Sequence, residues 1–310
     1  MNDGSAARLG RTTPELAAFQ DEPEQMPSGT VGKSGFLRLG FERREGRTIL
    51  AELDRRVPYL AQRALHSDPA LPDLAHVFLI TSSGCLLQGD RLSLEVALGA
   101  QARAHVTTQS ATKIHAMDVN YAAQSQSFVL DDGAYLEFLP EPLIPHRRSR
   151  FASDTQITLA PTATLLYGEI VQPGRKHHHP QECFGATLLS LSVAAQRPGG
   201  RLLFTEKLAL EPARHAVRQT GVMDSFDVFG NVIVLTPREP ADRIAARLGA
   251  DVDLAQGIAH GACRLPNDAG LIYKVLGRET VQVREKVREF WGVVREEVTG
   301  CGIPPPHFWR

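Results

Sequence analysis

A mainly β body with a smaller helical part toward its C-terminal end is the architecture the sequence predicts. Two observations predict it: short apolar runs at period two over most of the chain, and one long run at period 3.6 near residue 290. Thr155-Gln156-Ile157-Thr158-Leu159 and Leu189-Ser190-Leu191-Ser192-Val193 alternate apolar and polar side chains, as a half-buried strand does. Tyr135 to Leu139 and Val232 to Leu235 are short and rich in aromatic or β-branched residues. Between such runs stand Asp131-Asp132-Gly133 and Arg197-Pro198-Gly199-Gly200, which carry turn chemistry.

Residues 1–34 are poor in large apolar side chains, and Asp21 to Pro27 has charge and proline without a period, which predicts a flexible tail. A single domain then spans 35–310, with the β body at about 35–238 and a helix-containing part at about 239–300. Ala241 to Leu248 is helical in composition, and Gly261 to Leu276 forms two runs around Pro266-Asn267-Asp268-Ala269-Gly270. Glu279 to Val298 places Val283, Val287, Phe290, Trp291, Val294 and Val298 on one face. Arg284, Glu285, Arg288, Arg295 and Glu296 fill the other, and Gly300 is placed to end the helix.

With 43% apolar residues a sizeable core is available. The formal net charge of -1 excludes the positive excess that duplex binding requires, and 6% aromatic residues leave little for stacking on single strands. The four cysteines, Cys85, Cys183, Cys263 and Cys301, form no C-x-x-C pair, a usage that suits a reducing, cytoplasmic setting. The start of the chain has no secretory pattern, and no stretch approaches the ~20 apolar residues of a membrane span.

Motifs for chemistry are few. Gly29-Thr30-Val31-Gly32-Lys33-Ser34 resembles the end of a phosphate-binding loop, but Pro27 stands where the first glycine is needed. His177-His178-His179, with Glu182 and Cys183, offers donors suited to nickel or zinc, in a loop flanked by Pro173-Gly174 and Pro180. A solvated polar loop is the plainer reading. No G-x-S-x-G nucleophile turn is present. Glu137 and Glu169 are the carboxylates a β-rich glycosidase would need across a cleft.

Several segments, in order, resemble the urease accessory protein UreD family. They are Gly40-Phe41 through Gly46-Arg47-Thr48; Gly84-Cys85-Leu86-Leu87-Gln88-Gly89-Asp90-Arg91-Leu92; Val106-Thr107-Thr108-Gln109-Ser110-Ala111-Thr112-Lys113-Ile114-His115; and the run Gly168-Glu169, Gly174-Arg175, Glu182-x-Phe184. Asp268-Ala269-Gly270-Leu271 also fits the pattern. Cys85 and Gln88 stand where glycines are usual, Phe138 where the family has tryptophan, and the triple histidine lies outside the pattern.

The resemblance implies a β-helical body and no catalysis by the chain itself. It implies a complex with UreF, the GTPase UreG and the urease apoprotein, in which UreG consumes GTP while nickel is inserted. No cofactor is held permanently; nickel passes transiently. On that footing Asp90, Glu137 and Glu169 are the expected acids of a nickel route, with Gln109, Thr112 and Lys113 shaping the same region and Arg175 as a motif residue. A stand-alone nickel-binding protein built on the histidine loop is a further alternative.

Overall fold

The computed structural model describes residues 9–23 and 32–304. The first hairpin pairs β1 (Ser34–Arg44) with β2 (Arg47–Arg56). Its turn is made by Glu45 and Gly46, both at positive φ, which is why a glycine sits there. Next, β3 (Tyr59–Ala61) and β4 (Ala75–Thr81) open a second sheet.

The chain then alternates between the two sheets. To the first it contributes β5 (Arg91–Leu98), β8 (Ala122–Leu130), β11 (Arg150–Leu159) and β13 (Leu188–Gln196), each parallel to the last. To the second it contributes β6 (Arg103–Thr108), β9 (Tyr135–Phe138) and β12 (Thr164–Val171), stacked parallel on β4. Two short strands, β7 (Thr112–Ile114) and β10 (Leu143–Pro145), pair with each other at the corners between. The chain thus winds in stacked coils, the β-helical path that the resemblance implied.

Register explains the period-two signal. Val96, Phe128, Ile157 and Ala195 form one rung of the first sheet, all buried. Val77, Val106, Phe138, Tyr167, Ile233 and Ile272 form the facing rung of the second. Their side chains meet in one core between the sheets, where each large apolar residue contributes about 1.5–3 kcal/mol. Gln156 and Thr158, between buried neighbours on β11, point outward.

Antiparallel strands complete both sheets: β14 (Leu202–Leu210) on the first, then β15 (Val228–Leu235), β16 (Asp251–Asp253), β17 (Ile258–Arg264) and β18 (Gly270–Gly277) on the second. The part expected to be helical therefore also extends the second sheet. The helices are α1 (Arg238–Ala246) and α2 (Thr280–Thr299). Helix α2 starts with a capping box between Glu279 and Gln282 and ends at Gly300, φ 74°. Its apolar face packs on the outer surface of the second sheet.

Two expectations change. Residues 9–23, assigned from sequence to a tail, carry a 3₁₀ helix (Pro14–Phe19) whose Leu16 is buried against Tyr121, Ala123, Ala152 and Leu188. Glu22 also pairs with Arg150 at 2.9 Å. One leucine and a salt bridge to a residue 128 positions away leave no periodicity to signal this. Arg295, assigned to the polar face of α2, is fully buried. It lies one turn beyond Trp291, and the helical period alone puts it on the inner face.

Gly270 begins β18 opposite Leu235 at φ +136°, where an added Cβ would overlap the Val234 carbonyl oxygen. Gly270→Ala is expected to lower stability by roughly 2–4 kcal/mol, combining strain and displaced backbone. Urea denaturation checks this; a midpoint equal to the parent's would refute the constraint.

Candidate functional site

Between the sheets the core is interrupted by a cavity of about 100 Å³ with polar groups along part of its wall. Strand alternation builds it. Tyr167 and Glu169 on β12, Gln124 and Gln126 on β8, and Ser153 on β11 take inward positions that their strand neighbours fill with apolar groups. Thr155 Oγ1 donates to Gln126 Oε1 at 2.9 Å, and Tyr167 Oη lies 3.1 Å from the same oxygen and 2.7 Å from Glu169 Oε1.

A phenol has one proton, so Tyr167 donates to one of these acceptors at a time. With Glu169 ionised it donates to the carboxylate. With Glu169 protonated, the carboxyl can donate to Tyr167, which turns to Gln126. Glu169 sits where this choice matters: burial pushes its pKa up to about 7, with the Glu206 charge adding to the rise and the Tyr167 hydrogen bond opposing it. Glu206 is itself paired with Lys274 at the edge of the sheet.

The cavity leads toward the surface at the end of β6. Thr108, Gln109, Pro140, Glu141 and Ile170 line both the cavity and a groove of about 990 Å³ alongside α2. Glu141 is held there by Arg284 of α2 at 2.9 Å.

The structure brings three of the sequence-selected residues, Gln109, Thr112 and Glu169, to this cavity. Lys113 follows Thr112 on β7 with its side chain exposed. Asp90 is placed elsewhere: Oδ1 accepts from the Lys33 amide and Oδ2 from the Leu87 amide, both at 2.9 Å. Its buried carboxylate closes the turn at Gly89, the local role an aspartate after glycine commonly takes. Burial raises its pKa, and the two amide bonds oppose that.

Glu137 lies on the opposite face of the second sheet, beneath α2. It accepts from Tyr135 Oη at 2.6 Å and His105 Nδ1 at 2.7 Å, and Arg295 Nε is 3.7 Å away. Burial pushes the carboxyl up, but His105 and Arg295 outweigh it and hold it below its usual value. Burial lowers His105, so the imidazole is neutral and donates from Nδ1. Because Glu137 and Glu169 face opposite sides of one sheet, they do not flank a common cleft, and the paired-carboxylate geometry of a glycosidase is not formed.

Arg175 makes a two-pronged contact with Glu182, 2.7 and 3.2 Å, which pulls the Glu182 pKa down to about 2. Gly174, at φ +120°, has no room for a Cβ against the Glu182 carbonyl. His177, His178 and His179 are exposed; His177 lies 3.5 Å from Glu279, and His179 accepts from the Gln181 amide. Among the described residues no group of three histidine, cysteine or acidic side chains is placed to hold a metal ion.

Sequence reasoning missed Tyr167, Gln126 and Thr155. Tyr167-x-Glu169 and Gln124-x-Gln126 are polar pairs at strand period, a signal that becomes specific only once the coil register stacks them.

Comparison with known proteins gives a consistent result. The family described as UreD urease accessory protein matches residues 33–310. The chain is 54% identical over 305 residues to urease accessory protein UreD of a Yersinia pseudotuberculosis strain, covering 98% of this chain and 95% of that protein. The Photorhabdus laumondii protein of the same name is 54% identical with the same coverage. Urease accessory protein UreD 2 of Brucella suis is 50% identical over 295 residues, 95% and 98% of the two chains.

The raised Glu169 pKa fixes a sign. Unfolded chain releases this proton near pH 4.5, whereas folded chain keeps it to about 7, so stability falls as pH rises between those values and levels off above. Urea midpoints of the parent are expected to drop from pH 5 to 7.5 relative to Glu169→Gln, which lacks the titration. Parallel curves would refute the assignment.

Proposed function

The chain belongs to the UreD urease accessory protein family, and from that membership and the cavity around Glu169 we propose a non-catalytic scaffold for urease maturation. In this reading it joins UreF, the GTPase UreG and the urease apoprotein in the cytoplasm, and nickel destined for urease passes through its interior. The observation that carries the reading is a partly polar cavity between the two sheets that meets a surface groove at Gln109 and Glu141.

Its chemistry suits a cargo ion. Carboxylate, phenol, hydroxyl and side-chain amide oxygens replace part of the water shell of a divalent ion, while the nitrogen and sulfur donors that would trap nickel are not among the lining residues. A cavity of about 100 Å³ exceeds the ~10–15 Å³ that one water requires. Glu169 is the acid best placed to meet the ion. Asp90 and Glu137 support the route indirectly, one by closing a turn and the other by seating α2. Nucleotide hydrolysis falls to UreG, in keeping with Pro27 in place of a loop glycine. No helix among the described residues is long and apolar enough to cross a membrane.

Co-expression of the tagged chain with UreF, UreG and urease apoprotein tests this. The parent is expected to co-purify with UreF and UreG and to activate urease. Glu169→Ala should keep the complex and lower activation several-fold, and alanine at His177, His178 and His179 should change little. Failure to co-purify would end the scaffold reading; full activation by Glu169→Ala in an intact complex would end the route.

A further inference from the structure

Ahead of β1, residues 9–23 rest on a seat that the coil stack builds by itself. Asn120, at φ 54°, closes the corner between β7 and β8. Gln88 Oε1 accepts from the Asp118 and Val119 amides just before it. Arg91, 3% exposed, donates to Asn120 Oδ1 at 2.8 Å and to the Tyr121 carbonyl at 2.6 Å. Arg150, at the start of β11, donates to the Asn120 carbonyl at 3.1 Å. All of these bonds lie within the stack. Two guanidiniums, the Asn120 amide and an apolar floor of Tyr121, Ala123, Ala152 and Leu188 are therefore organised in advance of any occupant.

The segment fits this seat as a peptide fits a receptor. Leu16 fills the floor, and the Phe19 ring lies 4.2 Å from the Arg150 guanidinium. The Glu22 carboxylate accepts from the Asn120 amide and, at 2.9 Å, from Arg150. Asn120 Nδ2 donates back to the Glu22 carbonyl at 2.7 Å, and Glu15 pairs with Lys207 at 2.6 Å. Charge matches as well: Glu15, Asp21 and Glu22 outnumber Arg11 in the segment, against arginines and a lysine around the seat.

Yet the hold is thin. Leu16 is the one buried side chain of residues 9–23, their 3₁₀ helix has six residues, and both ion pairs are partly exposed. Such a unit opens far more often than the whole fold unfolds. The family match begins at residue 33, so the seat lies in the matched body and its occupant ahead of it.

We propose that this seat is an exchangeable docking site for an acidic peptide of a partner protein, and that residues 9–23 occupy it in cis. The fitting peptide carries leucine, then an aromatic residue three positions on, then glutamate three further, as Leu16, Phe19 and Glu22 do. Arginine clusters beside an apolar floor suit acidic motifs of this kind. The proposal does not rest on the maturation reading.

The test uses the full-length chain and a fluorescein-labelled synthetic peptide of residues 9–23, followed by fluorescence anisotropy. In the parent the cis segment competes with the probe. The Leu16→Ala/Glu22→Gln protein, altered only in the segment, is expected to bind the probe about ten-fold more tightly than the parent. Adding Arg150→Gln should abolish that gain, as should Glu22→Gln in the probe, and raising salt from about 0.05 to 0.5 M should weaken binding. Equal binding by parent and double variant would overturn the proposal, as would a gain that survives Arg150→Gln. A doubled mass of the parent by light scattering would also overturn it, by giving the seat to a second copy's segment.

Discussion

A carboxylate, an imidazole and a guanidinium with no solvent exposure meet beneath α2, and the placement of that helix on the second sheet depends on them. Glu137, His105 and Arg295 come from β9, β6 and the last helical turns, and Arg295 also pairs with buried Asp68 ahead of β4. Charges this deep in the protein stabilise only when every partner is in place. Loss of one partner from such a cluster costs about 3–5 kcal/mol, because an uncompensated charge is left behind. The cluster therefore fixes where α2 lies on the second sheet more sharply than its apolar face alone would. The position of α2 in turn sets one wall of the groove and brings Arg284 to Glu141.

The second sheet thus separates two kinds of acid. Glu137, on the helix side, is ionised and fully partnered. Glu169, on the inner side, has a raised pKa beside a cavity and a tyrosine proton that two acceptors compete for. A stable core would fill these inward positions with valine or leucine, as the neighbouring rungs do. Retaining glutamate, glutamine and tyrosine there lowers stability without improving packing, a cost that the proposed ion route would account for.

Much of this was legible in the sequence, for stated reasons. Period two survives because one side of each coil strand faces the core, and the 3.6 period of Val283 to Val294 survives because α2 buries a single face. Gly300 announced the end of α2 as a residue that tolerates positive φ. The allocation of acids was not legible. Glu137 stands beside Phe138 and Glu169 two residues after Tyr167, both in apolar strands, and only the pairing of Phe138 with Tyr167 shows that the acids face opposite ways. Asp90 was readable as a turn aspartate, because the glycine before it already implied the backbone geometry. Parity along one strand is visible in a sequence; parity between coils requires their register.

The motif segments gain a common explanation from the same register. Leu86 bridges to Ile114, β7 pairs with β10, and Leu143 pairs with Val171 at the end of β12. The Gly84–Leu92 and Val106–His115 segments, and the loop closed by Gly174, Arg175 and Glu182, therefore lie along one corner of the coil stack. Corners demand special residues because the chain must change direction while every backbone polar group keeps a partner. Asp90 supplies such partners to the Lys33 and Leu87 amides, and Glu182 supplies one to the Arg147 amide. Gln109 and Thr112 occupy the same corner but face the cavity. The segments that identify the family thus do two jobs at once: most of their residues turn the chain, and the few left facing inward form the edge of the opening.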